Sequence, residues 1–512
     1  MLIHHAISKR PGIKRENNLF YQNDKALSLP TQTKIMARRK RPLPLLENVE
    51  IMDAGAEGKA VARVDEKVLF VPFAAPGDIV DVQVYKKKRH FLEGRITALK
   101  KASGYRVEPR CSHFGLCGGC KWQHIDYAYQ RRFKQKQVKD SLDRIAKVPY
   151  PGIQEIIGAE DIYFYRNKLE FTFSDRRWLT TLDPMATEGE VLETRGLGFH
   201  LPGMFDKVLD VDQCYLQKEP SNDIRLSVKA FAIEKDFSFY NAREQHGFLR
   251  NMIIRTSTTT DLMVVIIFGE EEATAIKLIM DFLAKKFPQI TSLMYVVNTK
   301  KNDSIYDLEV RLFKGKDHNM EVMQAARPGR KPLYFKVGPK SFYQTNPQQA
   351  QKLYQTAHDF AGFNGDELVY DLYTGTGTIA LFIAPSVKRV IGIESVEEAV
   401  EDARKNAVEN DIDNVEFHAG DMAALLTEDF IARHGVPDVL LTDPPRAGMH
   451  PKVIKQILQA APGKIVYVSC NPATQARDIA LLDEKYRIEK VQPVDMFPQT
   501  HHVENVVLLM RK

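Results

Sequence analysis

The chain has 512 residues, of which 44% are hydrophobic and 27% charged, with a formal net charge of +6. This composition excludes a disordered, collagen-like or disulfide-scaffold protein and leaves room for about two to four globular domains. No apolar run approaches the roughly 18 residues of a membrane helix, and the first residues lack the apolar core of a secretory leader. Five cysteines in so long a chain point to a reducing compartment, so a cytoplasmic protein is expected.

Residues 1–45 read as a basic, flexible N-terminal extension. Ten lysines and arginines fall within residues 1–42 against Glu16 and Asp24, so the rest of the chain is close to neutral. Such a tail suits a polyanionic partner or is simply solvated. Met36 opens a second plausible start within it.

Residues 46–103 predict a small all-β unit. Short apolar runs, Val68–Val71 and Ile79–Val84, alternate with the turn signals Asp53-Ala54-Gly55, Glu57-Gly58 and Ala75-Pro76-Gly77-Asp78. The run Lys86-Lys87-Lys88-Arg89-His90 follows a strand directly, as a phosphate-contacting loop or a solvated tip. Residues 104–333 predict an α+β middle region, with strand alternation at 168–173 and 262–268 and helical periodicity over 271–286. Cys111, Cys117 and Cys120 open it, and Cys214 lies further on. Four thiolates suit structural zinc or an iron–sulfur cluster, and spacing alone does not choose. Arg131, Arg132, Lys134, Lys136 and Lys139 downstream line a nucleic-acid path or coat a helix.

From 334 to 512 the pattern becomes regular α/β alternation. Strands are predicted at 368–373, 389–393, 414–417, 438–442, 465–469, 486–492 and 504–510, with helices at 376–384, 396–409 and 451–460. This implies a doubly wound parallel sheet, closed by an antiparallel edge where no helix separates the last strands. Asp371-Leu372-Tyr373-Thr374-Gly375-Thr376-Gly377-Thr378 leaves the first strand as a glycine loop, and Glu394 ends the second, where it can hold a ribose. Both features serve NAD or an adenosyl cofactor equally. Asp421 after the third strand and Asp443-Pro444-Pro445-Arg446 after the fourth favour a planar base beside a methyl donor over a pyrophosphate. Cys470 follows the next strand, either as buried filler or as a nucleophile at the mouth of a site.

Together with Phe342-Tyr343-Gln344-Thr345-Asn346, Ser469-Cys470-Asn471-Pro472 and His501-His502-Val503-Glu504, these motifs make residues 46–512 resemble the S-adenosylmethionine-dependent RNA (uracil-5-)-methyltransferases, the 23S ribosomal RNA branch above all. The resemblance implies a TRAM β-barrel over 46–103, a central domain carrying the cysteines over 104–333, and a Rossmann-like methyltransferase domain over 334–512. It assigns Cys470 as nucleophile and Glu504 as base. Gln344, Tyr373, Thr378, Glu394, Asp421 and Asp443 become contacts of S-adenosylmethionine, and Cys111, Cys117, Cys120 and Cys214 the ligands of a 4Fe-4S cluster. The thiol has a chemical purpose: added to carbon 6 of uracil, it makes carbon 5 nucleophilic enough to take a methyl group. A site that favours the thiolate, or a neighbour that takes its proton, is therefore expected. The expected partner is RNA, 23S ribosomal RNA ahead of transfer RNA, with no membrane and with the enzyme acting as a monomer.

Overall fold

The computed structural model describes residues 43–180, 183 and 192–512, so the basic extension lies outside the described residues. Residues 44–512 form one compact unit around three main sheets. The first holds six short strands between Leu45 and Lys101, with bulges along the pairing of Ile79–Lys87 with Phe91–Lys101. The predicted basic loop is shorter than expected, because Lys86 and Lys87 still belong to the strand. Lys86 pairs with Glu93 at 2.7 Å, while Lys87, Lys88 and Arg89 stay exposed.

The second sheet has eight strands from Lys168–Ser174 to Arg311–Gly315 in a mixed order, with helices Ser221–Glu234 and Ala273–Lys286 in the same region. Its central strands Leu249–Thr256 and Leu262–Phe268 are buried almost end to end, which accounts for the unbroken apolar run of the second.

The third sheet carries the site. Its strands are β1 (Leu368–Leu372), β2 (Arg389–Glu394), β3 (Val415–Ala419), β4 (Val439–Thr442), β5 (Lys464–Ser469), β6 (Tyr486–Val494) and β7 (Glu504–Arg511). They lie in the order β3-β2-β1-β4-β5-β7-β6, the first five parallel and β7 antiparallel to both of its neighbours. The antiparallel edge is as expected, with β7 inserted between β5 and β6. The helices are α1 (Pro347–Ala361), α2 (Thr378–Ile383), α3 (Glu397–Glu409), α4 (Met422–Leu425), α5 (Glu428–His434), α6 (Pro451–Ala460) and α7 (Pro472–Leu482). The sequence pattern omits α1, α4, α5 and α7. For α1 and α7 the reason is chemical. Asn346-Pro347 and Asn471-Pro472 look like breaks, but each is an asparagine cap followed by proline at the first helical position, where a missing N–H costs nothing.

The cations of the basic helix Tyr127–Ser141 have partners within the fold. Lys134 is fully buried and its Nζ lies 2.6 Å from Asp495 Oδ1, also fully buried. Arg131 bonds Glu155 at 2.8 Å, Lys136 bonds Asp53 and Asp140, and Lys139 bonds Asp143. These ion pairs tie the helix to its surroundings. Arg132 instead lies over the ring of Tyr129. Lys134–Asp495 also fixes the segment between β6 and β7, and removing one partner from such a buried pair costs about 3–5 kcal/mol.

Candidate active site

The carboxyl ends of β1, β2, β3, β4 and β5 point to one edge of the sheet, where the loops carry the predicted residues. Tyr373 follows β1 in the left-handed region, with φ 64°, and donates its backbone N–H to the Ile393 carbonyl at 2.9 Å. Gly377 also has positive φ (78°), and a Cβ there would lie 2.9 Å from Ala403 Cβ and 3.0 Å from the Phe417 ring. Glycine at this point therefore lets α3 and β3 close on the loop. Thr378 is the first residue of α2 and is buried. Glu394 ends β2. Its carboxylate accepts the N–H of Gly375 at 3.0 Å, those of Ser395 and Val396 at 2.7 and 3.0 Å, and the Ser395 hydroxyl at 3.0 Å. It thereby sets the mouth of the glycine loop. Asp421 caps α4 through the Ala424 N–H at 3.0 Å. Gln344 precedes α1, near the buried Tyr354. Its position is fixed by Asn346 and Gln349, which bond the carbonyls of Met496 and Asp495 at 2.9 and 2.8 Å.

The fold brings Asp443, Cys470 and Glu504 together. In the antiparallel register Ser469 faces Asn505, so Cys470 and Glu504 stand opposite each other at the shared end of β5 and β7. Asp443 leaves β4, the other neighbour of β5. Below them Gln475 bonds the Tyr467 and Asn505 carbonyls at 2.9 and 3.1 Å and locks the strands. The Asp-Pro-Pro-Arg turn is stapled to the cysteine turn, because the Asn471 amide and the Thr474 hydroxyl donate to the Arg446 carbonyl at 3.0 and 3.2 Å. Cys470 is half-buried and therefore reachable, whereas Glu504 is only 4% exposed.

The electrostatics of this trio are unusual. Burial, with the charge of Asp443 beside it, pushes Glu504 up to about 8, and burial pushes Asp443 up to about 7. The thiol of Cys470 is raised to about 11 by burial, then by Glu504 and Asp443, with Arg446 acting the other way. Burial, and then the two carboxylates that face the sulfur, oppose the thiolate, which leaves the second of the two expectations, a neighbour that takes the proton. Such a pocket suits a bound cation. Sequence reasoning missed Asp371, whose buried carboxyl is raised to about 7 while it accepts the Thr374 hydroxyl at 2.5 Å. It also gave no role to Arg446, the cation nearest the chemistry, although the Asp-Pro-Pro-Arg motif ends on it.

Cys111, Cys117, Cys120 and Cys214 line a single cavity of about 590 Å³ beside strand Lys168–Ser174 of the second sheet. Cys120 and Cys214 are buried and Cys111 and Cys117 half-buried. Burial raises the thiols of Cys120 and Cys214 to about 12 and about 11, and neighbouring cysteines push both further in that direction. A cationic group held among them would reverse this. Around one tetrahedral zinc the sulfurs would sit about 3.8 Å apart, yet among the described residues no three of these sulfurs lie mutually within 4.8 Å. What the structure shows of this set is that the four thiols share one cavity.

A doubly wound sheet with acidic and glycine-bearing loops at its carboxyl edge is an architecture that binds nucleotide-like ligands at that edge. Comparison narrows the class. The profile of the tRNA (uracil-5-)-methyltransferase family matches residues 309–512, and that of the TRAM domain matches residues 47–97. An uncharacterized RNA methyltransferase of Bacteroides thetaiotaomicron is 55% identical over 457 residues, covering 89% of this chain and 99% of the relative. Another, of Chlorobaculum tepidum, is 39% identical over 90% of this chain and 95% of its own length. The crystal structure of the Pyrococcus abyssi tRNA (uracil-54, C5)-methyltransferase in complex with S-adenosyl-L-homocysteine superposes with a TM-score of 0.69. It is 29% identical and covers 91% of this chain and 100% of that one. The chain belongs to the RNA (uracil-5-)-methyltransferase family, and its first sheet is a TRAM domain. Among the described residues no helix is long and apolar enough to cross a membrane.

Proposed function

We propose that this protein transfers a methyl group from S-adenosylmethionine to carbon 5 of a uridine in 23S ribosomal RNA. The observation that carries the reading is the convergence of a reachable thiol, Cys470, with two buried carboxyls, Glu504 and Asp443, on the cofactor edge of the sheet. The donor supplies a sulfonium methyl, an electrophile. Gln344, Tyr373, Thr378, Glu394, Asp421 and Asp443 hold it in the crevice. Glu394 would exchange the Ser395 hydroxyl for those of the ribose. A positive sulfonium beside Asp443 and Glu504 lowers the cost of ionising both.

Cys470 passes its proton to the carboxylate of Asp443, which faces the sulfur, and adds to carbon 6 of a uracil splayed out of the RNA. Electrons move to carbon 5, which takes the methyl group as the methyl–sulfur bond of the donor breaks and S-adenosylhomocysteine is left. Glu504 then removes the carbon 5 proton, and the carbon 6–sulfur bond breaks to restore the ring and free the thiolate. Arg446 stabilises the thiolate in the opening and closing steps. Residues 46–103, 104–333 and 334–512 serve as the RNA-binding, cysteine-bearing and catalytic domains of a monomer in the cytoplasm, and Cys111, Cys117, Cys120 and Cys214 hold a structural 4Fe-4S cluster. A second reading, transfer RNA as substrate, is favoured by the Pyrococcus abyssi enzyme's own substrate. Mass-spectrometric mapping of 5-methyluridine in ribosomal and transfer RNA, with and without the gene, separates the two. Loss of the mark from neither RNA would refute the function.

Two further results are expected. Cys214→Ala should lose iron and acid-labile sulfide together and melt at a lower temperature; unchanged iron content would show that the quartet is not the ligand set. The pH dependence follows from Glu504. The base acts in its ionised form, and burial beside Asp443 raises it to about 8, so turnover should fall as the pH drops below that value. A flat profile from pH 6 to 8 would mean that another group removes the proton.

A further inference from the structure

On the side of the catalytic sheet away from Cys470 lies a cluster that methyl transfer does not use. Glu416 and His418 sit two apart on the edge strand β3 and so share one face, while Phe417 between them turns into the core. His434 closes the last turn of α5 and meets the same face. His418 Nε2 is 2.9 Å from Glu416 Oε1, and His434 Nδ1 is 3.8 Å from that oxygen. The three atoms lie within 4.8 Å of one another. Despite its short distance to Glu416, the buried Nε2 of His418 has no hydrogen-bond partner among the described residues.

We propose that Glu416, His418 and His434 bind a divalent ion of the zinc class, with water completing its coordination. Two imidazole nitrogens and one carboxylate oxygen are ligands zinc accepts. At bond lengths of about 2.0–2.1 Å they would sit about 3.3 Å apart in a tetrahedral shell. The separations of 2.9 and 3.8 Å bracket that value, so small side-chain rotations suffice. The supporting groups already fix the geometry. Arg389 holds Glu416 Oε2 and leaves Oε1 aimed at the two rings. The buried Phe430 ring packs 5.1 Å from His418 and 4.3 Å from His434, setting both imidazole planes. Tyr370 donates its hydroxyl to the Gly435 carbonyl at 2.7 Å and anchors the end of α5. Arg404, the other cation near His418, is occupied by Glu401 and the Phe417 carbonyl. The ion would pin α5 to the exposed edge of the sheet, just before Gly420 and Asp421.

The test uses the full chain with its four-cysteine site intact, so that this site contributes equally to every sample. Wild type and His418→Gln/His434→Gln are titrated with zinc against a chromophoric chelator, then with cobalt, while melting is followed by circular dichroism. Wild type should take up one zinc equivalent more than the variant. It alone should gain melting temperature with zinc, and cobalt should give it d–d bands that the variant lacks. Equal uptake and equal melting would overturn the proposal and leave the trio a plain ion-pair network. Should the double variant misfold, His434→Gln alone decides, since retention of the extra equivalent by that folded protein contradicts the site.

Discussion

Cys470→Ala should abolish methylation, lowering turnover by about 10⁴-fold or more, a barrier increase of at least about 5.4 kcal/mol. Without the sulfur, carbon 5 of an intact uracil must attack the methyl group unaided, and nothing else near the carboxyl edge replaces the lost nucleophile. Cofactor affinity should barely change, because Cys470 stands at the end of β5 beyond the glycine loop and Glu394. Removing a thiol that two carboxylates oppose should not destabilise the fold either. Calorimetry with S-adenosylhomocysteine and single-turnover methylation measure the two effects separately. Near-wild-type turnover would show that the sulfur is packing.

Glu504→Gln should give the second large effect, with a different signature. The variant still adds Cys470 to carbon 6 and still methylates carbon 5, but proton removal slows by about 10²–10⁴-fold. A covalent complex of protein with methylated RNA should therefore accumulate and survive denaturing electrophoresis. Loss of the Glu504 charge also relieves the thiol, so adduct formation itself should begin at lower pH than in the wild type. Normal turnover by this variant would assign the base elsewhere, with Asp443 the first candidate because it faces the same sulfur.

The sheet was readable because parallel strands covered on both faces appear as unbroken apolar runs, and the acidic and glycine-bearing turns mark their ends. The helices that begin at Pro347 and Pro472 were not read from the sequence, because proline there stands at the first helical position after an asparagine cap. The charges of helix Tyr127–Ser141 were visible, but their partners Asp495, Glu155 and Asp53 come from distant segments that only the fold brings in. The site residues were legible as positions at strand ends. Their electrostatics were not, since the raised Cys470 and Glu504 depend on how closely Asp443 approaches and how little water remains. The cysteine quartet shows the same division. The sequence supplies the thiols, and the fold turns Cys214 towards the cavity that the other three line.

The covalent claim is tested most directly with an RNA in which the target uridine carries fluorine at carbon 5. Fluorine cannot leave as a proton does, so a methylated ring bonded to the enzyme stays trapped. Peptide mass spectrometry should find that nucleotide attached to Cys470 in stoichiometric yield and only when S-adenosylmethionine is present. Methylation of ordinary RNA by a protein that never forms this adduct, or an adduct on any other residue, would contradict the account.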